Sequence, residues 1–176
     1  MISCDYVRHM ARYNRWMNDK LYVVAGTLPQ TALDAERGAF FGSISGTLNH
    51  LLVADTIWLK RLAAHPAGFA CLETLRDIAM PARLDLPLAD GFAALQARRR
   101  ELDALIVQWS LELTPAALGL VLDYHNMRGE AQSRPLPEVL MHLFNHQTHH
   151  RGQVTTLLAQ LGLDVGATDL IAMPAA

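Results

Sequence analysis

Apolar residues recur along this chain at steps of three and four in four long stretches, separated by segments of different character. In the first, Tyr6, Met10, Tyr13, Met17, Leu21 and Val24 make a stripe down one side of a helix expected over about residues 4–25, which Gly26 and Leu28-Pro29 end. After a polar loop over residues 30–38, Ile44, Leu48, Leu51, Asp55, Trp58 and Leu62 keep the same step and predict a second helix over about residues 43–64. Asp55 is the odd member of that stripe.

Residues 65–87 hold three prolines and a glycine among short mixed runs, which reads as a connection. Its length is unusual between simple up-down neighbours, so the next helix is expected to start at the far end of the molecule. That helix covers about residues 89–111, with Phe92, Leu95, Arg99, Leu102, Leu105 and Ile106 on its inner side. The pattern changes over residues 117–134, where Leu120-Val121-Leu122 and a glycine-containing polar return suggest a short hairpin. The last helix opens near Pro135, a residue favoured at a first helical position, and runs to Leu161 before Gly162 stops it. A tail of mostly small and apolar residues follows. The pattern predicts one all-α domain over residues 1–176: a four-helix bundle, with a long crossover between helices 2 and 3 and a short hairpin before helix 4.

With 51% hydrophobic and 18% charged residues, the composition is that of an ordinary globular chain and excludes disordered and fibrous classes. The formal net charge of -2 and pI near 6.4 come with no basic stripe, so no nucleic-acid partner is expected. Arg98-Arg99-Arg100 reads as a solvated helix face. No apolar run is long enough for a membrane span, and Asp5, Arg8 and His9 stand where a signal peptide needs an apolar stretch, so a cytoplasmic protein is expected. Cys4 and Cys71 would stay reduced there. Neither has a metal-ligand neighbour, and Cys71 falls in an expected loop.

The chemistry concentrates in the last helix, where His142, His146, His149 and His150 fall within one short stretch. At 100° per residue, His146 and His150 lie about 40° apart on the face that carries Val139, Leu143, Val154 and Leu157. Histidines at that spacing present two imidazole nitrogens to one ion. A third ligand must come from elsewhere, and His50, set among Leu48, Leu51 and Leu52, is the best candidate. A hydrogen-bonded core histidine is the competing reading for His50, and only convergence in space separates the two.

The run Leu143-Phe144-Asn145-His146-Gln147-Thr148-His149-His150-Arg151-Gly152-Gln153 resembles the signature helix of the DinB (damage-inducible) family. The resemblance extends to residues 13–18, to Phe40-Phe41-Gly42-Ser43-Ile44, to Thr47-Leu48-Asn49-His50 with Asp55 and Trp58, and to Asp169-Leu170-Ile171. It implies a DinB/YfiT-like bundle holding a divalent metal on His50, His146 and His150; three imidazoles suit zinc, nickel, copper or iron, of which zinc and nickel are the first choices. His149, Arg151, Gly152 and Gln153 are expected in supporting roles. Asp55 and Asp169 are weaker candidates for accepting an imidazole N–H. At superfamily level the resemblance implies metal-dependent enzymes that use low-molecular-weight thiols, such as thiol S-transferases, with a small-molecule substrate. Three imidazoles leave a coordination position open, where a metal lowers the pKa of bound water or holds a thiol as thiolate. Metal-assisted hydrolysis with Asp55 as base and a non-catalytic stress-response role are the alternatives. A homodimer through the outer helix faces is expected, although no single residue marks it.

Overall fold

The computed structural model describes residues 2–175. Its four long helices lie close to where periodicity puts them: α1 (Cys4–Ala25), α3 (Ile44–Ala63), α4 (Gly91–Glu112) and α6 (Leu136–Ala159). Ser3 and Ser43 cap α1 and α3 by accepting from the backbone N–H of Tyr6 at 3.1 Å and of Gly46 at 3.0 Å. Each such cap is worth about 1 kcal/mol, because it satisfies an amide that the first turn leaves free. Helix α1 packs against α4 and α6, and α3 packs against the same two. The four therefore close a ring in which α1 and α3 are diagonal.

Between the long helices the chain is more structured than the sequence suggests. Residues 30–38 are not all loop, because a short helix, α2 (Gln30–Asp34), seats the buried Leu33 against α3. The long crossover contains a 3-10 helix, Ala70–Leu75, so Cys71 sits in a helical turn and not in a loop. Phe69 at its entry packs edge-on against Trp109, ring centroids 5.6 Å apart, and Leu72 is fully buried. Burial of two such side chains is worth roughly 1.5–3 kcal/mol each, which ties the crossover down against α3 and α4.

A one-turn helix, α5 (Pro115–Leu118), precedes the expected hairpin, which is present as β1 (Val121–His125) paired antiparallel with β2 (Ala131–Pro135). Asn126 shapes its turn by accepting from the backbone N–H groups of Arg128 and Glu130. Gly162, at φ +76°, stops the last helix, a conformation that side chains other than glycine rarely adopt. The tail then returns along α1: the Tyr13 hydroxyl donates to the Thr168 carbonyl at 2.5 Å, and Leu163, Val165, Leu170 and Met173 pack on the core.

One layer of the interior is polar. The expectation of three solvated arginines fails at Arg99, which is 1% exposed, because the inner stripe of α4 turns it toward two carboxylates. Arg99 meets Asp55 at 2.7 Å and Asp103 at 2.8 Å. Asn18 donates to Asp103, Gln147 donates to Asp55, and Arg151 donates to Asn14 and to Gln147. These contacts form an unbroken circuit through α1, α6, α3 and α4. Burial alone would lower the Arg99 pKa, but Asp103 and Asp55 beside it raise it above its ordinary value. Burial pushes the Asp103 carboxyl up against the pull of Arg99. Arg151, without a carboxylate in contact, is lowered by burial to about 10.

Candidate metal centre

Directly beside this circuit, α3 and α6 bring His50, His146 and His150 together, with one ring nitrogen of each within 4.8 Å of the others. The local reason is helical phase. Gln147, one residue past His146, is held by Asp55, five residues past His50, so the polar contact fixes how α6 is rotated against α3. The ring centroids stand 5.1 Å apart for His50 and His146, 4.5 Å for His50 and His150, and 4.4 Å for His146 and His150. The i,i+4 spacing and the isolated histidine of the second stripe thus meet in space.

Two of the rings are oriented by their remaining nitrogens. The His50 Nδ1–H donates to the Leu84 carbonyl at 3.0 Å, a group that can only accept, so Nε2 carries the lone pair. His150 Nδ1 meets Gln153 Oε1 at 2.8 Å, which frees its Nε2 in the same way. Such tethers orient ligating imidazoles in metal sites generally. His146 has no tether: its Nδ1 is buried without a partner, and its Nε2 lies 3.1 Å from that of His50. Burial lowers the pKa of His50 to about 4, partly offset by the Leu84 carbonyl. Burial and the surrounding rings lower His146 to about 3, and burial lowers His150 as well. All three rings are neutral near pH 7, and in the absence of an ion the His146 Nε2–H donates to the His50 Nε2 lone pair.

These residues fit a divalent ion. Nitrogens about 2.1 Å from one ion at tetrahedral angles stand about 3.4 Å apart, so ring movements on the order of an ångström bring the set into range. A cation would take the place of the proton shared by the two facing Nε2 atoms.

Other expected residues fall differently. Asp55 accepts from Arg99 and Gln147 and from no imidazole, so the structure corrects it from a histidine partner to a member of the core circuit. Asp169 is exposed at the start of a 3-10 turn and contacts no imidazole among the described residues. His149 is exposed beside His150 and is tied only loosely to Gln153, at 3.4 Å. Gly152 has open space over its Cα, so no close packing demands a glycine there.

Neither Phe41 nor Leu84 has a side chain whose chemistry singles it out in the sequence. Phe41 stacks on His50 with centroids 3.7 Å apart at 15°, and meets the His150 ring edge-on at 5.6 Å. It is held there by a tight turn: Gly42 has φ +75°, and a Cβ on Gly46 would lie 2.0 Å from the Phe41 carbonyl oxygen. Phe41 and Leu84 border a cleft of about 500 Å³ with Phe40, Gly46, Asn49 and Asp85. Asn49 closes the crossover over it, donating to the Leu86 carbonyl and accepting from the Leu88 N–H.

Helical packing and a convergent three-histidine group define a class of protein able to hold a metal ion between two helices. The chain belongs to the DinB family, whose model matches residues 1–176. It is 26% identical over 167 residues to the protein DinB of Bacillus subtilis (strain 168), a match covering 94% of this chain and 91% of that one. No solved structure matches the chain. No helix among the described residues is long and apolar enough to cross a membrane.

Proposed function

We propose that His50, His146 and His150 bind one divalent ion, zinc or nickel, and that the protein is a metal-dependent enzyme of the thiol S-transferase type acting on a small molecule. The observation that carries the metal assignment is the convergence of three neutral imidazoles, two of them already held with Nε2 free. The donor group comprises three rings and no carboxylate among the described residues, so it supplies fewer ligands than a closed structural zinc site.

A bound ion would supply Lewis acidity, which holds a thiol as its thiolate near neutral pH. The chain's own residues do the rest. Leu84 and Gln153 keep the proton of His50 and of His150 on Nδ1 and away from the centre. Phe41 covers one face of His50 and limits water there. Hydrolysis with Asp55 as base is disfavoured, because that carboxylate is fully buried and engaged by Arg99 and Gln147. A cytoplasmic homodimer of single-domain chains, using a small thiol as co-substrate, completes the proposal.

Metal stoichiometry by elemental analysis, followed by a panel of electrophiles with glutathione, bacillithiol or mycothiol, tests it. One ion per chain and thiol-dependent turnover are expected. An ion bound at full stoichiometry with no turnover and no thiol binding would leave a non-catalytic metal protein and defeat the enzymatic part.

A further inference from the structure

Two residues that touch the histidine group also wall the cleft of about 500 Å³ beside it. Phe41 stacks on His50 and meets the His150 ring edge-on, and Leu84 holds the His50 ring through its carbonyl. A molecule seated in the cleft therefore stands one side chain away from the imidazoles. Phe40 extends the same wall, edge-on to Phe41 with ring centroids 4.9 Å apart, and is 83% exposed, while Leu84 is 43% exposed. Large apolar side chains turned to water around a concave surface carry a hydration cost that an apolar ligand would relieve.

The polar groups around the cleft are already engaged. The Asn49 amide nitrogen donates to the Leu86 carbonyl, and its oxygen accepts from the Leu88 N–H. Gly46 donates its N–H to the Ser43 hydroxyl. Asp85 is paired at 3.0 Å with Arg83, which does not line the cleft. An adjoining cavity of about 290 Å³ shares Gly46, Asn49 and Asp85 and adds Asp34, and no lysine or arginine lines either space. An anion would find no cation to meet it there, and two carboxylates nearby would repel it.

We propose that this cleft binds the flat, uncharged, apolar body of the small-molecule substrate, held against Phe40, Phe41 and Leu84 with its reactive end toward the histidine group. The volume falls in the range of small-molecule sites. Two phenylalanine rings set edge to face offer another ring both a face and an edge to pack on. Taking the occupant as the electrophile of a thiol transfer rests on the metal-enzyme reading above, whereas its binding in the cleft does not.

The test uses the full chain treated with chelator and titrated with 2-phenylethanol and with phenylacetate, which share a ring and differ in charge, read by saturation transfer to the ligand. The alcohol is expected to bind on the order of tenfold more tightly than the acid, since only the acid brings an unmatched charge. Phe40→Ser, at a position 83% exposed, is expected to weaken the alcohol about fivefold without changing the melting temperature, because one aromatic contact is lost. Equal affinities for the two probes, or an alcohol affinity that survives Phe40→Ser, would overturn the proposal. So would a dimer, seen by light scattering, that Phe40→Ser converts to monomer and that the alcohol does not disturb, because a second copy of the chain would then be the occupant. With metal bound, the alcohol is expected to compete with the electrophile in thiol-dependent turnover, and uncompeted turnover would overturn the substrate role. Because the first titrations contain no metal and no thiol, their failure leaves the histidine reading standing, and a failure of metal binding or of turnover leaves the preference of the cleft intact.

Discussion

Replacing Asp55 by alanine should be among the most damaging single changes in the chain. Its carboxylate is fully buried and accepts from Arg99 at 2.7 Å and from Gln147, so its loss leaves Arg99 with Asp103 alone. The circuit holds two cations, Arg99 and Arg151, against two anions, Asp55 and Asp103, and the variant would carry an uncompensated buried positive charge. Breaking a buried pair from one side costs about 3–5 kcal/mol. At about 2–4 °C per kcal/mol for a chain of this size, the melting temperature should fall by roughly 6–20 °C. Chelator-treated protein removes any contribution from metal, and calorimetry or urea denaturation supplies the reading. The quadruple variant Asp55→Leu, Arg99→Met, Asp103→Asn, Arg151→Met removes all four charges together and should recover most of the loss, since a buried ion pair is itself worth little against apolar packing. A loss below about 1 kcal/mol in Asp55→Ala would show that the layer is solvated, and the reasoning would fail.

Four further outcomes follow from the site. Saturating metal at about 100 times its dissociation constant should stabilise the protein by about 2.7 kcal/mol, read as a melting shift that chelator reverses and that His50→Gln abolishes. His149→Gln should leave metal stoichiometry unchanged, because that ring is exposed and outside the group; lost binding would assign it as a ligand. Gly46→Ala should push Phe41 off His50, since the new Cβ would meet the Phe41 carbonyl at 2.0 Å; a crystal structure with the stack intact would contradict this. In metal-free protein the folded pKa values of His50 and His146, about 4 and about 3, lie below the unfolded value of about 6.5. The unfolded chain then binds more protons between these values, so stability is full above pH 6.5 and drains as pH falls. Melting curves of the double variant His50→Gln, His146→Gln should show a shallower slope in that window, and identical slopes would refute the assignment.

Much of this was legible because the long helices carry regular apolar stripes, and burial of those stripes is what sets their ends and faces. The i,i+4 geometry of His146 and His150 is a property of one helix, so spacing alone revealed it. That His50 joins them depends on the packing of α3 on α6, which no local pattern encodes. Arg99 carried two conflicting signals: three consecutive arginines look like surface, while the apolar step of α4 puts the middle one on the inner side, and the phase wins because Asp55 and Asp103 wait there. The short helix at Gln30–Asp34 and the 3-10 turn at Ala70–Leu75 lack periodicity long enough to register. Phe41 and the Leu84 carbonyl reach the site only through tertiary folding of a glycine turn and a crossover, so their part in it could be read from coordinates alone.

The most direct check is an anomalous-difference map, collected at the absorption edge of zinc or nickel from crystals grown with that metal. A single peak within about 2.1 Å of a ring nitrogen of His50, His146 and His150 is the predicted result. A peak bound to His146 and His150 with the His50 ring turned away, or no peak between the helices at all, would contradict it.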